Sequence, residues 1–302
     1  MRSLNAAATR FYSSPALLLV LAALFWAGNA IAGQLARGEI TPLQLVFVRW
    51  IGVTAMMWPL FGREVLAYWP VAKPRIGRIA LMAFIGFSGF NAVFYWASTM
   101  TGGINVGILQ GAIPVFVLIG AFVAHGTRIT PLQSVGVGLT ILGIVLVATR
   151  GAPLEILAIR VNPGDLLMLV AGLMYAIYAV LLQGRPEMPS GVFFTLMAPI
   201  AAVTSIPPVV VEAMGQGYSL PSVDGWLVAL YATIFPSCLA QLFFLRGVDL
   251  IGPGRAGVYA NLVPVFSAVL AVLVLDEVFA IYHALAMALV IGGIALAQRK
   301  PR

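Results

Sequence analysis

Charge is scarce in this 302-residue chain: Asp, Glu, Lys and Arg together make up 9% of it, against 61% hydrophobic residues. A soluble domain carries about 25% charged residues, because surface that faces water has to be polar. Water is thereby excluded as the solvent for most of this molecule. Cysteine is nearly absent as well. The single Cys238 cannot close an intramolecular disulfide, and a zinc or redox centre needs a second thiol or clustered histidines. Cys238 reads as a packing residue, and no metal ion or cofactor is expected. The chain also lacks an HExxH zinc motif, a Walker P-loop and a GxSxG elbow, which argues against an enzyme and removes ATP as a direct energy source. The net charge of +7 is scattered between apolar runs and forms no basic, aromatic-interleaved face, so nucleic acid is not an expected partner.

What the sequence has is long apolar runs. A helix crossing the hydrocarbon core, about 30 Å thick, needs about 20 mostly apolar residues at about 1.5 Å of rise each. Ten segments meet that length: 15–35, 42–62, 77–98, 103–124, 130–149, 163–183, 190–211, 224–246, 254–275 and 278–298. The fold class is therefore an all-α integral membrane bundle whose solvent is the lipid bilayer. Arg2 and Arg10 precede an apolar run ending in Ala30-Ile31-Ala32, a form that signal peptidase accepts. Trp26 and Asn29 interrupt that run, and it is kept as the first span.

Orientation follows from Lys and Arg, which short loops retain on the cytoplasmic side. With the N-terminus inside, the inner set is Arg2, Arg10, Arg63, Lys73, Arg75, Arg78, Arg128, Arg185, Arg246, Arg255, Arg299, Lys300 and Arg302. The outer set is Arg37, Arg150 and Arg160. Both termini are expected to be cytoplasmic. Arg49 is left within a span, where its charge could meet a substrate carboxylate, but it lies close enough to the outer end for the side chain to snorkel toward the headgroups.

An internal repeat organises the chain. At an offset of 150, Gly107-Ile-Leu-Gln-Gly-Ala-Ile-Pro114-Val-Phe116 falls on Gly257-Val-Tyr-Ala-Asn-Leu-Val-Pro264-Val-Phe266. The same offset sets Asn91 on Gln241, Phe94 on Phe244, Gly102 on Gly252 and Gly143 on Gly293. Residues 1–150 and 151–302 then form two five-helix repeats of one bundle. Because five is odd, the second half begins on the opposite side of the membrane and lies upside down. Inverted repeats recur in secondary transporters, where two similar halves exchange conformations around one central site.

The ten spans, the five-plus-five repeat, the Trp26-Ala-Gly-Asn29 motif, the Pro114 and Pro264 helices and the Asp276-Glu277 pair after the ninth span resemble the drug/metabolite transporter superfamily, EamA type. Within it the chain is similar to bacterial exporters of amino acids, aromatic ones among them, and of paraquat-like toxic compounds. The resemblance implies export of small metabolites by alternating access in the inner membrane. Other metabolites, a receptor or a scaffold stay open as alternatives. Nucleotide-sugar or phosphate-ester exchange would call for cations in the bundle, where only Arg49 stands. A monomer is compatible with all of these readings.

Polar side chains at membrane depth face a cavity or another helix. In the third span Phe84, Ser88, Asn91, Tyr95 and Ser98 draw one stripe at helical spacing, and Ser237, Gln241 and Phe244 match it in the eighth. Trp26 with Asn29, and Tyr175 with Tyr178, are each three apart and share a helix face. Gln110, Tyr259 and Asn261 complete a set of amides and rings that suits a substrate with an apolar body and a polar amino-acid end. For each of these residues an interhelical packing contact is the competing reading. Pro114 and Pro264 are expected to bend their helices as paired hinges or kinks. Gly103, Gly107 and Gly111 have the spacing that lets a neighbouring helix approach closely.

Overall fold

The computed structural model describes residues 11–152, 162–216 and 219–298. Arg2, Arg10, Arg160, Arg299, Lys300 and Arg302, with most of the 150–162 loop, lie outside the described residues. Among the described residues there is no strand. Eight helical stretches among the described residues are long and apolar enough to cross a membrane, and Ile281–Ala297 is a shorter apolar helix.

One of the eight, Pro42–Ser98, runs for 57 residues. As a straight rod it would measure roughly 85 Å, nearly three times the thickness of the hydrocarbon core. It doubles back instead. Arg49 and Tyr95, near its two ends, are hydrogen-bonded at 2.5 Å, and a 3-10 turn at Lys73–Arg75 interrupts the α-helix between them.

In chain order the helices are α1 Pro15–Leu35, α2 Pro42–Ala72, α3 Ile76–Ala83 and α4 Gly89–Ser98. There follow α5 Gly103–Gln110, α6 Ile113–His125, α7 Pro131–Ala148 and α8 Pro163–Leu181. The remainder are α9 Ser190–Gln216, α10 Val223–Ala232, α11 Ala240–Ile251, α12 Pro253–Val258, α13 Leu262–Leu275 and α14 Ile281–Ala297. Five of them begin with proline at the first helical position, after Ser14, Thr41, Thr130, Asn162 and Gly252. Proline fits there because its missing N–H is one that the first turn leaves unbonded anyway. Thr41 with Gln44, and Thr130 with Gln133, form complete capping boxes, each satisfying two such orphan donors. α2 outlasts the 42–62 segment by ten residues and α9 outlasts 190–211. Hydropathy marks where the apolar face ends, whereas the helix continues until a capping or turn signal stops it.

The repeat is visible in backbone details. A π-helical turn at Phe84–Ser88 joins α3 to α4, and another at Thr233–Leu239 joins α10 to α11. A break at Gly111 and Ala112 separates α5 from α6, and a 3-10 turn at Tyr259–Asn261 separates α12 from α13. Left-handed residues close α6 at Gly126 and α13 at Asp276. The first π turn corrects the expected stripe: one extra residue in the turn shifts the register, so Ser88, Asn91, Tyr95 and Ser98 are buried while Phe84 is exposed.

The main helix contacts join the two repeats. α2 packs on α9, α5 on α13 and α7 on α14, while α1 lies against α11 and α13 as α8 lies against α4 and α6. The helices that the repeat makes equivalent, α1 and α8, offer opposite ends to one face. Arg37, just past the end of α1, and Asp165, at the start of α8, both hold the turn after α4. The repeats are thus inverted and interlocked.

Gly103 and Gly107 sit at the α5–α13 crossing, whereas Gly111, just past the end of α5, meets Val290 and Ile294 of α14. A Cβ on Gly107 would lie 2.3 Å from the Ser267 Cβ, whereas its repeat equivalent Gly257 has nothing within 4 Å. Gly107→Ala is expected to cost about 1–3 kcal/mol by overpacking. Gly257→Ala is expected to be neutral or to stabilise by up to about 1 kcal/mol through helix propensity. Thermal unfolding of the two purified variants in one detergent checks this, and equal behaviour would contradict the asymmetry of the crossing.

Candidate functional site

At the centre of the bundle the Arg49 guanidinium is ringed by side chains from both repeats. Arg49 Nη1 donates to Asn29 Oδ1 at 3.1 Å, to Asn91 Oδ1 at 3.0 Å and to the Tyr95 hydroxyl at 2.5 Å. Nε donates to Ser237 Oγ at 2.7 Å. The Tyr95 hydroxyl in turn donates to Asn29 Oδ1 at 2.8 Å.

Two of these partners are fixed by the equivalent π turns. A π turn lengthens the hydrogen-bond ladder and frees carbonyls, and such turns gather at functional sites. In the first repeat Asn91 Nδ2 donates to the Phe87 carbonyl at 2.7 Å. In the second, Ser237 Oγ donates to the Ala232 carbonyl at 2.7 Å. Each repeat thereby presents one anchored oxygen to the same arginine.

The donors and acceptors do not balance. Nη1 carries two hydrogens and faces three acceptor oxygens, while Nη2 carries two and has no acceptor among the described residues. Asn29 Nδ2 is likewise without an acceptor there. All four partners are neutral, and no described carboxylate pairs with the guanidinium. Removing an ion from water costs several kcal/mol, which neutral dipoles offset only in part. The guanidinium thus lies over the Trp50 and Tyr95 rings at 5.7 and 5.8 Å, without a carboxylate and with Nη2 and Asn29 Nδ2 open among the described residues.

Arg49 is where the sequence reading needs correcting. It is 6% exposed, so it does not snorkel; it turns inward because α1, α4 and the second π turn place four oxygens around it. Ser237, also absent from the expected site set, belongs to the same cluster. The signal for Arg49 was present as the one basic residue well inside a span. Trp50, beside it, stacks on Phe87 at 4.6 Å, and its buried Nε1 has no partner.

Of the expected residues, Asn29, Asn91 and Tyr95 are brought together on Arg49. Trp26 lies one turn along α1 and packs on Phe244 at 5.2 Å. Gln241 lies one turn beyond Ser237 on α11. Tyr175 and Tyr178 pair with each other at 5.5 Å and pack on Phe90 and Phe87, in the α4–α8 interface. Gln110, Tyr259 and Asn261 sit at the two helix breaks, and no hydrogen bond joins them to Arg49. The Gln110 Nε2 and Asn261 Oδ1 atoms are buried without partners. Pro114 and Pro264 follow directly on those breaks.

One face of the bundle is tied shut around the turn at 98–102. Arg37 donates to the carbonyls of Ser98 and Thr101 at 2.7 and 2.9 Å, and Asn162 donates to that of Met100 at 3.2 Å. The Thr101 hydroxyl donates to Asp165 at 2.5 Å. Glu277 accepts from the amides of Gly103 and Ile104 at 2.6 and 3.1 Å, so it caps α5 with a charge that the helix dipole favours. Of the Asp276-Glu277 pair, Glu277 thus joins the repeats, while Asp276 closes α13 in the left-handed conformation.

Both halves of the chain, residues 13–149 and 162–298, match the EamA-like transporter family. An uncharacterized transporter of Archaeoglobus fulgidus is 27% identical over 292 residues, covering 94% of this chain and 97% of its own. The uncharacterized transporter YyaM of Bacillus subtilis is 25% identical over 221 residues, 72% of each chain. A crystal structure superposes with a TM-score of 0.64 at 19% identity, over 94% of this chain and 96% of its own, and so shares the fold.

An arginine kept for a ligand and one kept for stability respond oppositely to removal. Asn91, Ser237, Tyr95 and Asn29 each retain a hydrogen bond that does not involve Arg49. Replacing a buried ionic group by an apolar side chain of similar length is often neutral or stabilising by about 1–4 kcal/mol. Arg49→Met is therefore expected to melt at the same temperature as the parent protein or higher. A fall of several degrees would make Arg49 a structural residue.

Proposed function

Because the chain belongs to the EamA-like transporter family, we propose that it exports amino acids, aromatic and apolar ones included, across the inner membrane by alternating access. Arg49 carries this reading. A single buried cation with an open Nη2 matches a single carboxylate, and charge-assisted hydrogen bonds of this kind are roughly twice as strong as neutral ones. Asn29, Asn91 and Tyr95 hold the guanidinium in place, and Asn29 offers a second donor. Trp26 and Gln241, one turn away, border the space that the rest of the substrate occupies. A nucleotide sugar or phosphate ester carries more charge than one arginine answers.

In the same reading Pro42–Ser98 crosses the bilayer twice and Ile281–Ala297 once, which gives ten spans. Lys73, Arg75, Arg78, Arg128, Arg185, Arg246 and Arg255 mark the cytoplasmic face. Arg37 and Arg150 then lie outside with the tied turn at 98–102, and the outer gate is closed in this conformation. Opening it requires the bonds of Arg37, Asp165, Asn162 and Glu277 to exchange for water. The breaks beside Pro114 and Pro264 give the two repeats equivalent places to bend. Such interrupted helices, with a site at the repeat interface, support a rocking exchange of the halves.

Counter-flow in proteoliposomes tests the reading. Labelled phenylalanine and leucine are expected to exchange, whereas phenylalaninamide and phenethylamine, which lack the carboxylate, are not. Arg49→Gln removes charge-assisted bonds worth about 1.5–3 kcal/mol, a fall of roughly ten- to a hundredfold in apparent affinity. Normal flux in Arg49→Gln, or equal flux of the amine, would overturn it.

A further inference from the structure

An apolar cavity of about 340 Å³ runs along α1, lined by Gly28, Ile31, Ala32, Leu35 and by residues of α10 and α13. On α1 these four residues follow the spacing of one helical stripe, and Asn29, which accepts from Arg49, occupies the adjoining face. The cavity therefore begins one residue away from the polar receptor and runs two turns along the helix. Its volume falls in the range of small-molecule sites, about 300–1,000 Å³. Leu35, Leu227 and Val274 at its rim are exposed.

The inner end of the cavity is closed by a single ring. A Cβ on Gly28 would lie 1.9 Å from the Tyr231 hydroxyl oxygen, so that hydroxyl rests directly on the α1 backbone, which only glycine permits here. No described residue hydrogen-bonds to the Tyr231 hydroxyl. Its ring is held from behind by a stack on Phe235 at 5.1 Å, and Phe235 packs edge-on against Phe25 at 5.2 Å. Tyr231 thus forms a partition, with the charged receptor on one side and apolar space on the other.

We infer that this cavity is the subsite for the substrate's apolar side chain, and that Ala32 and Tyr231 set the size it accepts. The inference rests on the reading of Arg49 as the carboxylate anchor. A molecule with its carboxylate on Nη2 has to displace the Tyr231 hydroxyl from Gly28, and then buries its hydrocarbon among Ile31, Ala32 and Val228. The occupant is an aliphatic or aromatic amino acid, since a purely polar side chain finds no partner in the lining except the Tyr231 hydroxyl. Tyr175, on the α4–α8 side, has no part in this selectivity.

Binding of alanine, valine, leucine and phenylalanine to the purified full-length protein, followed by thermal-shift titration, tests the inference. In the parent protein affinity is expected to rise about fourfold for each methylene buried. Ala32→Phe fills the cavity and is expected to flatten the series while leaving alanine within about twofold. Tyr231→Ala enlarges it and is expected to favour phenylalanine over alanine by more than the parent does. Should Ala32→Phe not fold, Val274→Phe on the exposed rim is expected to flatten the series in the same way. A series that keeps its slope in the filled variants, or a parent protein that binds all four equally, overturns the subsite and leaves the Arg49 reading standing. A parent protein that binds none of the four overturns both.

Discussion

A guanidinium buried in a bilayer has to be surrounded by oxygen, because hydrocarbon offers nothing to its five N–H donors. Much of the centre of this molecule is arranged around that demand. Asn29 from α1, Asn91 and Tyr95 from α4, and Ser237 from the second π turn each turn an oxygen toward Arg49. The four are neutral, so the arrangement satisfies hydrogen bonds without cancelling the charge. The proposed reading of Arg49 as a ligand anchor rests on that difference.

The inverted repeat supplies the geometry. At each of the equivalent π turns, in α3–α4 and α10–α11, a backbone carbonyl, Phe87 or Ala232, anchors a side chain that reaches Arg49. The arginine itself has no counterpart, since the offset of 150 places Pro199 on its position. A symmetric frame thus holds one asymmetric charge. The faces differ as well: a carboxylate, Glu277, caps α5, whereas the same offset brings Thr127 to the position facing α12. In the proposed alternating-access reading, two homologous halves would give two comparable end states, and unequal capping would let one of them be preferred.

Much of this was legible in the residues. The ten apolar runs, the offset of 150 and the odd number of helices per half follow from hydropathy and self-comparison alone. Asn29, Asn91 and Tyr95 were identifiable as a convergent set because helical spacing and the repeat select the same positions. The π turns were not legible: nothing in Phe84–Ser88 marks an inserted residue, and the register shift moved Phe84 off the buried stripe. Arg49 was visible but misjudged, because depth along a helix does not reveal whether a long side chain turns to the headgroups or inward. That outcome depends on oxygens contributed by residues 20 to 188 positions away. Tyr175 shows the converse case, a residue placed correctly on a helix face whose neighbours proved to be other rings.

The most direct measurement is a structure of the protein with an amino acid bound. The expected result places the ligand's carboxylate at about 2.7–2.9 Å from Arg49 Nη2, the separation of a charge-assisted pair, with Asn91 and Ser237 still on their π-turn carbonyls. A ligand seated elsewhere in the bundle, with Nη2 still unengaged, would contradict the assignment of Arg49 as the anchor.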